Sequence, residues 1–275
     1  ATAVARPPSP RDEDAAANLA MGLDDFELGV NMPNLARALL PRLPHLRLAP
    51  DAVLPPDLEC LLSAAPVVGV AAACSQRRAE VPRIPFAEGA DGRRMLVVLD
   101  LDETLAHCRL DELESPRPDF RVSFEDTDVL GFVYLRPSVR LFLEVAAQLF
   151  DVAVFTASSQ AYADQVLDHL DPDGRCIARR LYRPDCREAD GMFLKDISEL
   201  GRSLDRSVLV DNSPVSLVLS PDNGVLVSAW TAEQPGDREL IDLLLLLQEC
   251  AERPSVPAFL RERYGLGEFL QEIGR

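Results

Sequence analysis

At 275 residues, 47% of them hydrophobic and 27% charged, the chain is long enough for one large domain or for a domain with an extension. Its formal net charge of −17 argues against non-specific nucleic-acid binding and against docking on anionic lipid, and any phosphate site must gather its few cations locally. Cys60, Cys74, Cys108, Cys176, Cys186 and Cys250 form no CxxC pair, and no histidine joins them at a zinc-like spacing; scattered thiols of this kind are the ordinary pattern of an intracellular protein, expected here in nucleus or cytoplasm.

Residues 1–90 read as an N-terminal extension ahead of a main domain over 91–275. The first 18 residues are rich in Ala, Pro and charge and read as disordered; 19–90 set many prolines between short apolar pieces and read as irregular, with up to two short helices. The apolar stretch 60–74 contains Pro66 and Gly69 and is too short to cross a bilayer, and the run 240–247 is interrupted by Asp242, so no membrane span is expected. From Arg93 the pattern becomes regular. A fully buried strand is predicted over 95–99. Two alternating stretches, 120–124 and 129–135, flank the polar turn 125–128 and predict a β-hairpin. Pro137 opens a helix with Val139, Phe142, Leu143, Ala146 and Leu149 at helical spacing. A second buried strand over 152–155 leads to a helix over 160–170, with Tyr162, Val166, Leu167 and Leu170 on one side. A short strand over 177–182, a helical turn over 197–201, buried strands over 207–210 and 225–228 and a long helix over 237–250 complete the series. The alternation gives an α/β, Rossmann-like fold: a mostly parallel sheet with helices on both faces and a small β-hairpin insertion after the first strand.

Three of these strands end in polar residues: Asp100 and Asp102, Thr156 and Ser158, Asp211 and Asn212. A parallel sheet brings such ends to one edge, the edge at which open α/β sheets bind ligands. A carboxylate attacks well only when a cation screens it, and a second carboxylate beside it can carry a proton. Asp100 and Asp102 therefore suggest covalent catalysis on a phosphoryl group, one attacking and the other serving as general acid/base. Lys195, on the connection before the last of the three strands, supplies an ammonium; with the Thr156 hydroxyl and the acid/amide pair Asp211 and Asn212 it completes a phosphoryl-transfer set. Each residue also has a plainer reading. Asp102 can begin a helix with an acidic first turn, Thr156 can cap a helix, Lys195 can be a solvated charge, and Asp211 and Asn212 can be turn residues before Pro214.

Taken together the motifs resemble a known family. Val98-Leu-Asp-Leu-Asp-Glu-Thr-Leu105, Leu135-Arg-Pro137, Phe155-Thr-Ala-Ser158 with Tyr162-Ala-Asp164, Leu194-Lys-Asp-Ile-Ser-Glu-Leu-Gly201, Leu209-Val-Asp-Asn-Ser-Pro214, Pro221-Asp-Asn223 and Trp230 follow the order of the haloacid-dehalogenase superfamily, and within it of the small carboxy-terminal-domain phosphatases. The resemblance spans about residues 93–250. It implies a Mg²⁺-dependent phosphatase acting on phosphoserine or phosphothreonine in a protein or peptide partner, with the RNA polymerase II C-terminal domain a candidate substrate. By the resemblance, Asp100 would form an aspartyl-phosphate, and Asp102 would protonate the leaving oxygen and then activate water. Thr156 and Lys195 would hold the phosphoryl oxygens. Mg²⁺ would take a carboxylate oxygen of Asp100, the main-chain carbonyl of Asp102 and the side chain of Asn212, an all-oxygen set suited to that ion. Thr104 would fix the nucleophile loop and Asp211 would orient Lys195. Arg183 would meet the substrate phosphate or backbone, and Tyr162, Leu110 and Phe124 would wall a pocket for the residue beside the phosphoserine. Ser159 and Leu110 depart from the family pattern, which expects an apolar and an aromatic residue there, and predict a smaller, more polar pocket. Two other functions compete: a small-metabolite phosphatase of the same fold, which needs a larger cap to enclose its substrate, and a catalytically silent binding module, which would have lost the second Asp, the Lys or the amide.

Overall fold

The computed structural model describes residues 94–124, 128–189, 191–234 and 236–267. The expectations for the extension over 1–90 and for the tip of the turn at 125–127 lie outside the described residues. The central sheet has five parallel strands in the order β10-β9-β1-β5-β6. These are β1 (Leu96–Leu99), β5 (Asp151–Phe155), β6 (Arg179–Leu181), β9 (Ser207–Asp211) and β10 (Gly224–Leu226). The chain runs outward from β1 to β5 and β6, then returns to the other side of β1 for β9 and β10. Such a reversal opens a crevice at the carboxyl ends of the strands beside the first one, and a ligand site is expected there.

β1 forms because Leu96, Val97, Val98 and Leu99 are all fully buried, which only a strand paired on both edges and covered on both faces allows. Its residues separate by face. Val97 and Leu99 pack with Val152, Val154, Val208 and Val210 against helices α1 (Val139–Leu149), α2 (Gln160–Leu170), α4 (Glu239–Glu252) and α5 (Val256–Tyr264). Leu96 and Val98 pack with Ala153, Phe155 and Leu209 against a thinner cover. That cover is the four-residue helix α3 (Pro214–Leu217), short 3₁₀ turns, and a hairpin of β7 (Arg187–Ala189) and β8 (Met192–Leu194). Each buried aliphatic side chain in this double layer contributes about 1.5–3 kcal/mol.

Helices α1 and α2 occupy the predicted segments. In α1, Val139, Phe142, Leu143 and Ala146 are buried as expected, but Leu149 is 41% exposed because the stripe has rotated off the core by the last turn. The predicted hairpin is a larger element. β3 (Phe120–Ser123) and β4 (Leu130–Leu135) pair antiparallel, and β2 (Ala106–Arg109) joins the other edge of β4. The β7–β8 hairpin, α3 and α5 were not anticipated: the strands have three residues each, and α5 buries only Val256 and Leu260.

Gly131 sits in β4, the middle strand of the inserted sheet. A methyl group there would come within 2.6 Å of Cys108 Sγ and 2.9 Å of Val122 Cγ2, from the strands on either side. We expect Gly131→Ala to cost about 1–3 kcal/mol by overpacking. Thermal melting should show a drop of several degrees; an unchanged melting temperature would mean that the sheet yields freely at this point.

Candidate active site

Asp100 follows β1 directly, and its amide donates to the carbonyl of Val210 at 2.9 Å, which carries the β1–β9 ladder one residue beyond the named strand. Strand alternation turns Asp100 to the face of Val98, and Asp211 to that of Leu209. The β7–β8 hairpin covers this same face, and Leu194 at its end is part of the cluster. Lys195 is the next residue. Its ammonium donates to Asp100 Oδ1 at 2.5 Å and to Asp211 Oδ2 at 2.6 Å, and all three side chains are buried. Asp211 is held in turn by the amide of Ser213, which donates to Oδ1 at 2.7 Å.

Two buried carboxylates meet one buried ammonium here. Burial, then the negative charge of Asp211 and that of Asp102, push the Asp100 carboxyl up to about 8, against the pull of Lys195. Burial alone would strip the proton from Lys195, but Asp100 and Asp211 outweigh it and push the ammonium's pKa up, so the cation is secure.

Asp102, half-buried, lies on the other side of the loop. Tyr162 donates to Oδ1 at 2.6 Å, while Ser158 and Thr156 donate to Oδ2 at 2.7 and 3.3 Å. Burial, then the charge of Glu103, raise the carboxyl above its ordinary range, and the three hydroxyl donors pull against that shift. Tyr162 is pushed well above the ordinary phenol range by burial and by the Asp102 charge, and so stays a donor. A carboxyl raised in this way is suited to give up a proton as well as to take one.

The loop between the two aspartates is tightly folded. Glu103 has φ of 56°, a left-handed conformation that only a well-fixed loop holds in a residue other than glycine. Its amide donates to the carbonyl of Ala106 and its carbonyl accepts from the amide of Trp230. Thr104, fully buried, donates to the Asn212 side-chain oxygen at 3.3 Å. Beneath it Arg136, 1% exposed, donates to the Thr104 carbonyl at 3.2 Å while a two-pronged pair with Asp237 neutralises its charge. The sequence already places Ser158 with Thr156 at the end of a buried strand, but gives it no specific role, and it marks Arg136 only as part of the Leu135-Arg-Pro137 motif.

The Asn212 side-chain oxygen faces Asp100 Oδ2 and the Asp102 carbonyl, each at 3.2 Å. Three acceptor oxygens thus converge. Such a convergence is relieved either by turning the amide so that its NH₂ donates to the other two, or by a cation between them. One carboxylate, one carbonyl and one amide are hard oxygen donors that fit a small divalent ion. Among the described residues no cluster of three His, Cys, Asp or Glu side chains forms an alternative metal site.

The residues expected to meet substrate are more spread out. Arg183 is exposed, anchored by Nε donating to the Ala157 carbonyl at 2.6 Å and lying over the Phe193 ring. Phe124 stacks on the Tyr162 ring with centroids 5.8 Å apart. Leu110, 41% exposed, stands just past the end of β2.

Comparison with known proteins identifies relatives of the chain. The chain is 41% identical over 191 residues to a probable C-terminal domain small phosphatase of Dictyostelium discoideum, covering 68% of this chain and 61% of that protein. It is 40% identical over 181 residues to carboxy-terminal domain RNA polymerase II polypeptide A small phosphatase 1 of Homo sapiens, covering 65% of this chain and 68% of the human protein. It spans only 31%, 61% and 53% of the length of three curated relatives that it matches. The solved structure of Fcp1, an essential RNA polymerase II CTD phosphatase, shares the fold at a TM-score of 0.50 and 16% identity, covering 66% of this chain and 70% of that one. Residues 95–257 match the model of one family throughout, and the chain belongs to the NLI interacting factor-like phosphatases.

Proposed function

We propose that this chain is a Mg²⁺-dependent protein phosphatase that removes phosphate from phosphoserine or phosphothreonine through a phosphorylated Asp100. The observation that carries the reading is the buried Asp100–Lys195–Asp211 group beside the three converging oxygens of Asp100, Asp102 and Asn212. A purely structural site has no need to bury two carboxylates against one ammonium at the open end of a sheet.

Asp100 Oδ2, the Asp102 carbonyl and the Asn212 side chain would hold the ion, which screens the negative charge that otherwise repels an anionic nucleophile from a phosphate. Asp100 Oδ1 then attacks phosphorus, with Lys195 beside it stabilising the charge that builds on the phosphoryl oxygens. The bond from phosphorus to the seryl oxygen breaks, and Asp102 gives that oxygen its proton. In the second half Asp102 takes a proton from water, the water oxygen attacks phosphorus, and the bond to Asp100 breaks to release inorganic phosphate. The Thr156 hydroxyl, next to Asp102 Oδ2, is the neighbouring group that meets the transferring phosphoryl oxygens. The insertion after the first motif is a three-stranded sheet of short strands, too small to enclose a metabolite as a cap would, which favours a segment of protein as substrate. The human relative's name cites the RNA polymerase II C-terminal domain, so phosphoserine peptides from that repeat are the first substrates to assay.

Asp100→Asn tests the mechanism. The amide cannot attack phosphorus but preserves the shape of the strand end, and Lys195 is left paired one-to-one with Asp211. We expect turnover of an aryl phosphate and of a phosphopeptide to fall to background while melting changes little; near-wild-type activity would overturn the covalent mechanism.

Metal removal gives a second test. Chelation should abolish activity, and Mg²⁺ should restore it better than Ca²⁺, whose bonds of about 2.3–2.6 Å rather than about 2.0–2.1 Å displace the nucleophile. Full activity after exhaustive chelation would refute the assignment.

Asp102→Ala should lower phosphopeptide hydrolysis by about 10²–10⁴-fold, because a seryl alkoxide leaves badly without a proton. With an aryl phosphate the first step should survive, seen in rapid mixing as a stoichiometric burst followed by slow turnover. Equal losses on both substrates with no burst would remove Asp102 from the acid/base role.

A further inference from the structure

Tyr162 does more in this structure than offer a wall to a substrate side chain. It stands in the first turn of α2, is 8% exposed, and sends its hydroxyl 2.6 Å to one oxygen of Asp102. The other oxygen of Asp102 faces the opposite way, toward the hydroxyls of Ser158 and Thr156 at the end of β5. The two oxygens of this carboxyl are therefore distinguished by their surroundings. Oδ1 is turned to the helix, and Oδ2 is turned to the strand ends where the phosphoryl group would sit.

We propose that Tyr162 is a positioning residue: its hydroxyl holds Oδ1 of Asp102 against α2 and thereby presents Oδ2 as the oxygen that gives and takes the proton. The inference rests on the reading of Asp102 as the general acid/base. A carboxyl turns easily about its last bond, and an unanchored one offers either oxygen to the leaving group. The anchor must itself be rigid. The Tyr162 ring is stacked on Phe124 within 16° of parallel and rooted in a helix that buries Ala163, Val166 and Leu167. Ser158 and Thr156 are different in kind, because a hydroxyl on a short side chain can switch between donating to Oδ2 and accepting from it as the proton comes and goes. The seryl oxygen receives its proton from Oδ2, and water returns one to the same atom. Throughout, Oδ1 remains an acceptor from Tyr162.

Tyr162→Phe in the full chain tests this, since it keeps the ring, the stack and the burial and removes one oxygen. Steady-state and rapid-mixing rates are measured on a phosphoserine peptide and on aryl phosphates of graded leaving-group pKa, with Asp102→Ala in parallel. We expect kcat on the peptide to fall about ten- to a hundredfold, the loss of one hydrogen bond to a charged group. KM should stay within about twofold of wild type, the aryl phosphate with the best leaving group should be spared, and the rate should depend more steeply on leaving-group pKa. A raised KM at unchanged kcat would make Tyr162 a substrate wall only and overturn the inference, as would an equal loss on every substrate. If Asp102→Ala shows no leaving-group dependence, the acid/base reading itself fails; if it does and Tyr162→Phe does not, only the role of Tyr162 falls. Should Tyr162→Phe not fold, 3-fluorotyrosine at 162 keeps the hydroxyl in place and strengthens its donation. A change confined to poor leaving groups is then the expected result, and no change the contrary one.

Discussion

The buried contact of Lys195 with Asp100 and Asp211 is the constraint around which the rest of the site is arranged. A single charge taken out of water in this position would be prohibitive, and an ammonium held between two carboxylates is tolerable only because all three side chains are fixed at hydrogen-bond distance. That fixity comes from three separate elements. Asp100 is held by β1, Asp211 by β9 and by the amide of Ser213, and Lys195 by a hairpin whose Arg187 pairs with Asp196, the residue after the lysine. Displacement of Lys195 would leave two buried carboxylates without their counter-ion, whereas loss of either aspartate leaves the ammonium with one partner. The surplus negative charge is also what makes the neighbouring oxygens of Asp102 and Asn212 intelligible as a place for a cation.

Much of this was legible in the sequence, and the parts that were not share a cause. β1 and α2 could be read because their burial is continuous or periodic over enough residues: four successive aliphatics in one, and Tyr162, Val166, Leu167 and Leu170 at helical spacing in the other. The β7–β8 hairpin could not, because three-residue strands have no measurable period. Lys195 was therefore recognisable by its place in a series of motifs and not by any local pattern. Ala106–Arg109 escaped notice because its partner strand, β4, supplies the pairing that makes it a strand at all. Arg136 is the clearest failure. Nothing in the local sequence says that an arginine before a proline will be buried, because its counter-ion, Asp237, lies far along the chain.

Helix α2 links several parts of the molecule. One side of it is core. Another holds the inserted sheet: Gln165 receives the amide of Ser123 and donates to its carbonyl, and His169 stacks on Phe120. Gln165 thus satisfies backbone groups on the edge of β3 that would otherwise be open to a further strand. The insertion, the helix and the loop carrying Asp102 are in this way mechanically continuous, and a movement of the inserted sheet would be felt at Tyr162.

The position of β1 in the sheet also has a consequence for how the protein is made. Leu96 pairs with Asp151 on one side and with Ser207 on the other, so the earliest strand of this sheet to be synthesised is the one that needs both later neighbours. Until the segment of β9 has left the ribosome, four aliphatic residues and an unpaired strand edge are exposed. At the usual pace of about 5–20 residues per second, that interval lasts seconds. Parallel pairing over such sequence separations is intrinsically slow. Exposed apolar surface and an unpaired strand edge are the features that make a folding intermediate prone to aggregate.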